Sequence, residues 1–477
     1  MAPTLTCSNS FLLNTTPRSR LIVKNPRFSV FAKKAGPFPP FQLGKSKDEN
    51  SSDESSNGDS GNSNPFRFNF GKVRDVTSLI PVVSSPRTGL SFGTGQAGVR
   101  ILWQRPRGER TAHQRTVATR DQYCRTAGAE VEGYNEPSVN SNVNGEYAKI
   151  NWDVLGFGLI PTDYMYIMNC SKDQHFSQGT LTPFGKIEMN PSSGILNYGQ
   201  GLFEGLKAHR TANGRILLFR PEQNAMRMKV GAKRMCMQAP TVEQFVNAVK
   251  QTVHSNKRWV PPPGKGAMYI RPLLMGSGPV LGVAPASEYT FITYASPVGN
   301  YHKGVLNLIV EEKFRRAIPG GTGEVKAVTN YAIIYKPIAE AKAKGFTDVL
   351  FLNAEKYIEE VSTTNIFLVK GNEILTPPTS GTILPGITRK SIIEITHVLG
   401  YQVKERAIPV EELFDAEEVF CTGTAVGVNS VNSITYQDTR IAYKRGAGTV
   451  GQELYEMLTG IQTGRIEDKM GWTVELD

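Results

Sequence analysis

Lys326 lies in "GGTGEVKAVTNY", between a Gly-Gly-Thr-Gly turn and a helix predicted to begin near Asn330. A lysine framed by Ala, Val and Thr is partly desolvated. Burial disfavours the ammonium, which lowers the pKa and favours the free amine. A free amine can form a Schiff base, and pyridoxal phosphate is a cofactor that uses a lysine in this way. The lysine alone decides nothing, because most lysines are solvated surface charges. A pyridoxal enzyme also needs a carboxylate to keep the pyridine nitrogen protonated and a hydrogen-bond donor at the phenolic oxygen. It needs an anion pocket for the phosphate, and a pocket for the substrate's carboxylate and side chain.

A second glycine cluster offers a competing chemistry. "SFGTGQAGVRI" (residues 91–101) carries Gly93, Gly95 and Gly98 in the G-x-G-x-x-G spacing of a dinucleotide-binding turn. A working turn of that kind follows a buried strand and opens a helix. Here Pro86 and Gly89 stand where the strand should be, and Pro106 would stop the helix within two turns. No second strand ending in an acid follows. A nucleotide-dependent oxidoreductase is therefore the weaker reading, and the glycines read as a loop in a leader.

The elements that must position Lys326 begin near residue 145. "DYMYIMNC", "GAMYIRPLLMG" and "EYTFITYASPVG" read as strands. "TVEQFVNAVKQTVHSNKRW" opens with Thr241 and Gln244 in capping-box spacing and sets Phe245, Val249 and Val253 on one face. Residues 298–304 read as an interdomain linker. Beyond it, strands are expected at Leu306, Asp348, Asn365 and Glu418, alternating with helices such as "TRKSIIEITHVLG", closed by Gly400. The pattern predicts two α/β domains, residues 145–297 and 305–477.

Seven motifs then occur in one order: "LNYGQGLFEGLKAHR", "ILLFRPEQNAMRM", "MYIRPLLMGSG", "GGTGEVKAVTNYA", "IEEVSTTNIFLV", "GTILPGITRKSII" and "EVFCTGTAVGV". Together they resemble the branched-chain-amino-acid aminotransferases, most closely the plant plastid type, across residues 145–477. The resemblance implies a fold-type IV pyridoxal-phosphate enzyme of mixed α/β (α+β) architecture, with the cofactor between two domains and a disordered leader in front. It implies transfer of the amino group of leucine, isoleucine or valine to 2-oxoglutarate by a ping-pong route through pyridoxamine phosphate.

Roles carry over by position. Lys326 matches the Schiff-base lysine and Glu360 the acid at the pyridine nitrogen, five residues before Asn365; its neighbour Glu359 is the alternative. Tyr331 matches the phenolic-oxygen partner. Arg220, Ile387, Thr388 and Thr424 match the phosphate site; the amides that open a helix suit a dianion. Thr424 and Ala425 match the turn that holds the substrate's α-carboxylate. Tyr198, Phe203, Tyr269 and Tyr301 match aromatic walls, and Arg271 the partner of glutamate's distal carboxylate. An apolar wall with one reachable arginine accepts both kinds of side chain. A homodimer is implied as well. Two other fold-type IV activities, D-amino-acid aminotransferase and aminodeoxychorismate lyase, lack the combination of "LFEGLKA", "YIRP" and "GTA".

Some features depart from the family pattern. Pro337 falls in the helix expected after Tyr331, where an interior proline costs about 3 kcal/mol. The segments around "NYHKGVLNLIVEEKF" and "FLNAEKYIEE" are shorter than usual, and "AVGVNSVNS" lacks the usual proline. These departures leave a catalytically impaired member as a further alternative.

Composition bounds the rest. The chain has 477 residues and a formal charge of +11, but the first 130 residues carry +10 of it. The nearly neutral remainder argues against a nucleic-acid-binding face. No apolar run reaches the roughly 18 residues of a membrane span. Five cysteines without a C-x-x-C suggest a reduced compartment, with neither disulfides nor a zinc site. Residues 1–47 carry eight Lys or Arg, no acid and many hydroxyls, the composition of a transit peptide. A plastid is the first expectation and a mitochondrion the second. Residues 48–144 have no core-forming pattern. The first hundred or so residues resemble the leader of a plastid NAD(P)-binding Rossmann protein, which would make the chain a chimera.

Overall fold

The capping box forms as its spacing predicts: Thr241 accepts from the Gln244 amide while the Gln244 side chain accepts from the Thr241 amide. The helix it opens buries Phe245, Val249 and Val253 against the first of two sheets. These features belong to a computed structural model that describes residues 147–299, 301 and 304–476. The transit-peptide-like leader, the segment to residue 144, the glycine cluster at 91–101 and the chimeric reading lie outside the described residues. So do residues 300, 302 and 303 of the expected linker.

The described residues form two mixed α/β lobes. The first contains β1 (Tyr164–Ser171), β2 (Thr180–Pro183), α1 (Gly194–Tyr198), β3 (Gly201–Phe203), β4 (Leu206–Arg210) and β5 (Ile216–Phe219). It continues with α2 (Pro221–Arg234), α3 (Val242–Ser255), β6 (Ala267–Gly276) and β7 (Glu288–Val298). The second contains β8 (Leu306–Glu311), α4 (Tyr335–Ala343), β9 (Asp348–Leu352), β10 (Ile358–Val361), β11 (Asn365–Lys370), β12 (Glu373–Thr376) and α5 (Ile387–Val398). After these come β13 (Gln402–Glu405), β14 (Glu418–Gly423), β15 (Gly427–Tyr436), β16 (Thr439–Ala442) and α6 (Val450–Gln462). The strand after α6, β17 (Thr473–Leu476), returns to the first sheet and pairs antiparallel with β5, Val474 opposite Leu218.

The first sheet runs β17-β5-β4-β6-β7-β1-β2, with β3 also on β6. Alternation along its strands decides which face is covered. Met268, Ile270 and Leu274 of β6 join the core under α2 and α3, while Tyr269 and Arg271 take the other face. The second sheet runs β10-β9-β8-β15-β14-β11-β12-β13, with β16 on β15. Its helix α5 starts directly after Gly386 and stops before Gly400, whose φ of 84° is the left-handed value expected beyond a helix end.

Pro337 does not occupy a helix interior, contrary to the sequence expectation. A short 3-10 turn (Val328–Tyr331) follows Lys326, and α4 begins only at Tyr335. Pro337 is thus in the first turn, where its missing N–H has no intrahelical acceptor to satisfy. The cost of an interior proline does not arise. Among the described residues no helix is long and apolar enough to cross a membrane.

Candidate active site

Lys326 is drawn to the first lobe by its own backbone. Its carbonyl accepts from the Phe203 amide at 3.2 Å, and its neighbour Ala327 bridges to Leu202. Its Nζ stands 4.6 Å over the Phe203 ring and is 3.0 Å from the Tyr331 hydroxyl. Phe203 and Tyr331 meet edge to face at 4.8 Å. The lysine, a ring from the other lobe and the phenol five residues on therefore form one cluster.

Glu360 faces the same cavity from β10, and the pairing of β10 with β9 shifts register between Ile358 and Val361. Such an irregularity re-aims side chains. Glu359 does not line the cavity. Glu360 is 2% exposed, and burial pushes its carboxyl up to about 7. Two contacts oppose that push. The Arg316 guanidinium donates to Oε1 at 2.6 Å, and the Leu384 amide donates to the same oxygen at 3.2 Å. Arg316 is itself buried, donates from Nε to the Ser362 carbonyl, and lies 5.9 Å from the centre of the Tyr331 ring.

The cavity measures about 230 Å³ and is lined from both lobes. Eleven of the thirteen predicted residues line it: Phe203, Tyr269, Arg271, Tyr301, Lys326, Tyr331, Glu360, Ile387, Thr388, Thr424 and Ala425. Two do not. Tyr198 is half-exposed at the end of α1, with its hydroxyl on the Leu281 carbonyl. Arg220 is engaged elsewhere: it donates to Ser391 at 2.9 Å, pairs with Glu394 at 3.0 Å and stacks 4.6 Å from the Trp472 ring.

Besides Arg271, the arginine that lines the cavity is Arg227, two helical turns into α2. It makes a two-pronged pair with the fully buried Glu204, at 2.8 and 2.6 Å, and its third nitrogen donates to the Pro385 carbonyl. That holds the cation beside Gly386, Ile387 and Thr388, where α5 begins and its amides are unpaired. Phe157 and Arg316 also escaped sequence reading. Phe157 meets Tyr269 at 5.1 Å and Tyr301 at 4.8 Å, both edge to face. A buried arginine has no one-dimensional signature when its partner lies 44 residues away. For Arg227 there was a signal, namely a second arginine seven residues after Arg220 in the same motif.

The class IV aminotransferase family matches residues 201–434. The chain is 56% identical over 370 residues to the chloroplastic branched-chain-amino-acid aminotransferase 2 of Arabidopsis thaliana, spanning 76% of this chain and 95% of that protein. It is 61% identical over 336 residues to the mitochondrial branched-chain-amino-acid aminotransferase 1 of the same plant, spanning 69% and 88%. The chain belongs to the branched-chain-amino-acid aminotransferases. The branched-chain aminotransferase of the thermophilic archaeon Thermoproteus uzoniensis, solved with norvaline, superposes with a TM-score of 0.58 at 28% identity, covering 66% of this chain and all of that one.

Pyridoxal 5'-phosphate is the cofactor of this class, and the aminotransferase's cavity fits it. A buried acid suits a protonated ring nitrogen, a phenol a ring oxygen, and a helix start beside a guanidinium a phosphate dianion. Within the lining, the buried Thr422 Oγ1 and Arg271 Nε have no protein partner, so polar groups remain for a ligand. Gly205 and Gly386 keep the walls close: a Cβ on either would collide with the Tyr269 hydroxyl or the Asn365 side chain.

Proposed function

We propose that this aminotransferase moves the amino group of L-leucine, L-isoleucine or L-valine reversibly to 2-oxoglutarate, as a homodimer in a plastid. The observation that carries the reading is the convergence in one cavity of a lysine, a buried acid, an arginine beside a helix start, and an aromatic wall with one arginine whose Nε lacks a partner.

Each residue has a task that its chemistry suits. Glu360, kept partly ionised by Arg316, holds the proton on the cofactor's ring nitrogen. Tyr331 orients the phenolic oxygen. Arg227, with the amides of Ile387 and Thr388 and the hydroxyl of Thr388, holds the phosphate. The Thr424–Ala425 turn receives the α-carboxylate. Phe157, Phe203, Tyr269 and Tyr301 exclude water from an aliphatic side chain, and Arg271 meets the second carboxylate of glutamate. When bound, the cofactor supplies the electron sink for the bond broken at the substrate's Cα. Lys326 Nζ takes the proton from Cα and returns it on the other side of the reaction.

Support for a second copy comes from the face of the first sheet opposite α2 and α3. There Ile167, Phe184, Met189 and Leu273 surround buried Met165, Met275 and Ile292, beside a hollow of about 620 Å³. Leu281 and Val283 are 90% and 89% exposed, and Leu281 carries the Tyr198 contact. Exposed apolar patches of this kind mark association surfaces. The plastid assignment rests on the composition of residues 1–47; relatives carry both chloroplastic and mitochondrial names.

The test is direct. Purified protein with pyridoxal phosphate should show a visible absorbance band that leucine bleaches and 2-oxoglutarate restores. If aspartate or a D-amino acid bleaches it faster than leucine, isoleucine and valine do, the substrate assignment is wrong. Sedimentation should give a dimer, and a fluorescent fusion should accumulate in plastids. A monomer with full activity, or mitochondrial import, would overturn those parts.

The two arginines give a sharper comparison. Arg227→Ala should weaken pyridoxal-phosphate binding by about 10- to 100-fold, the usual range for a lost charge-assisted contact. Arg220→Ala should instead lower the thermal midpoint, with cofactor affinity changing less than about threefold, because it removes a packing contact between α5 and Trp472. Absorbance titration and thermal unfolding of both variants decide the matter; the reverse pattern would restore Arg220 as the phosphate ligand.

A further inference from the structure

Lys207 stands on β4 opposite Tyr269 of β6. Its ammonium crosses from the first lobe to the second and donates to the Ala425 carbonyl at 2.9 Å. Ala425 is the middle of Thr424–Ala425–Val426, the turn that joins β14 to β15, and all three turn residues line the cavity. Lys207 does not line it. Burial lowers the ammonium to about 8, and no carboxylate among the described residues acts on it. Its half-buried neighbour His209 falls to about 3, through desolvation and then through the charge of Lys207.

Two physical consequences follow. The carbonyl and N–H of a trans peptide point in opposite directions, so pinning the Ala425 oxygen fixes the direction of the Val426 amide and steadies the turn. A desolvated ammonium that lacks a carboxylate is costly by itself and favours an anion nearby. The anion this cavity receives, on the reading above, is the substrate's α-carboxylate.

We propose that Lys207 is a positioning residue for the substrate carboxylate, acting through the Ala425 carbonyl. It holds the turn's amides ready for the carboxylate and places an uncompensated positive charge behind them. It touches neither the cofactor nor the reacting atoms. The inference rests on the aminotransferase reading and extends it to a residue outside the cavity wall.

The probe is 4-methylvalerate, a carboxylate with the carbon skeleton of leucine and no amine. It is titrated into the holoenzyme and followed through the cofactor's absorbance. In Lys207→Met its dissociation constant should rise about 10- to 100-fold, the range for a lost charge-assisted contact. The KM for leucine should rise likewise, kcat should fall less than KM rises, and pyridoxal-phosphate affinity should stay within about twofold. Lys207→Arg should recover most of the loss. Lys207→Gln keeps a donor for Ala425 without the charge; it should fall between wild type and Lys207→Met, and it serves as the test if the methionine variant does not fold. Unchanged 4-methylvalerate affinity in Lys207→Met and Lys207→Gln would overturn the proposal. So would an equal loss of cofactor affinity, which would mean general damage. A wild-type holoenzyme that leucine leaves unbleached would sink the aminotransferase reading instead, while 4-methylvalerate binding would still test Lys207.

Discussion

Replacing Lys326 with alanine should lower kcat for leucine transamination by about 10³- to 10⁴-fold, near the upper end of what a positioned acid–base group contributes. The expectation is this large because one amine has two tasks. On the proposed reading it would hold the cofactor covalently and would move the Cα proton. The fold should survive: the backbone carbonyl of residue 326 still accepts from Phe203, and Ala327 still bridges to Leu202. Two measurements separate chemistry from collapse. The variant should keep a cooperative thermal transition close to the parent's. It should also lose the adduct that borohydride fixes to the protein. An adduct that persists in the alanine variant would mean that a different lysine carries the cofactor.

Removal of Arg316 should be felt in stability as strongly as in catalysis. Arg316 and Glu360 are 2% and 3% exposed in their side chains and 2.6 Å apart. Breaking a buried pair by deleting one partner costs about 3–5 kcal/mol, because the remaining charge has lost its compensation. In Arg316→Leu, Glu360 escapes that cost by taking up a proton, and its carboxyl moves above the present value of about 7.

The direction of the pH effect follows from this. A carboxyl raised in the fold binds its proton more tightly there than in the unfolded chain, where it titrates at about 4.5. Stability therefore falls as pH rises between those two values. In the variant the upper end of this window moves up, so its deficit should be greatest in alkali and should shrink in acid. Denaturant titrations of the cofactor-free protein from pH 5 to pH 9 would show it. A deficit independent of pH would mean that Glu360 does not depend on Arg316. Activity should fall too, since a neutral Glu360 no longer favours a proton on the ring nitrogen. Arg316→Lys, which keeps the charge without the planar fork, should fall between.

Much of the scaffold was legible in the sequence because its signals are local. The Thr241 capping box, the spacing of Phe245, Val249 and Val253, and Gly400 beyond α5 each act within a few residues. Strands such as β6 and β7 are long enough, at 10 and 11 residues, to display their apolar pattern. Strands of three or four residues, such as β3, β10 and β12, carry too few positions for a period to emerge.

Motif order was enough to bring Lys326, Tyr331 and Glu360 to the wall of one cavity. The site was not legible where two candidates share one motif. "FRPEQNAMR" contains both Arg220 and Arg227, and only the fold separates them. Arg220 takes a left-handed conformation with φ of 49° just before α2 and turns towards Glu394. Arg227 comes two turns later and reaches the cavity. The Lys207 contact, across 218 residues, and the pairing of β17 with β5 depend on tertiary geometry alone.

That last pairing bears on how the lobes can move. They are joined at the segment between β7 and β8 and again at the segment between α6 and β17. Two bodies held at a single point can swivel in any direction, whereas two attachments leave chiefly one free rotation, about the line through both. Arg220 stiffens the second attachment, gripping Trp472 just before β17 and Ser391 and Glu394 on α5. The Leu202–Ala327 bridge and the Phe203–Lys326 hydrogen bond also cross between the lobes, so a rotation about that line would have to break both.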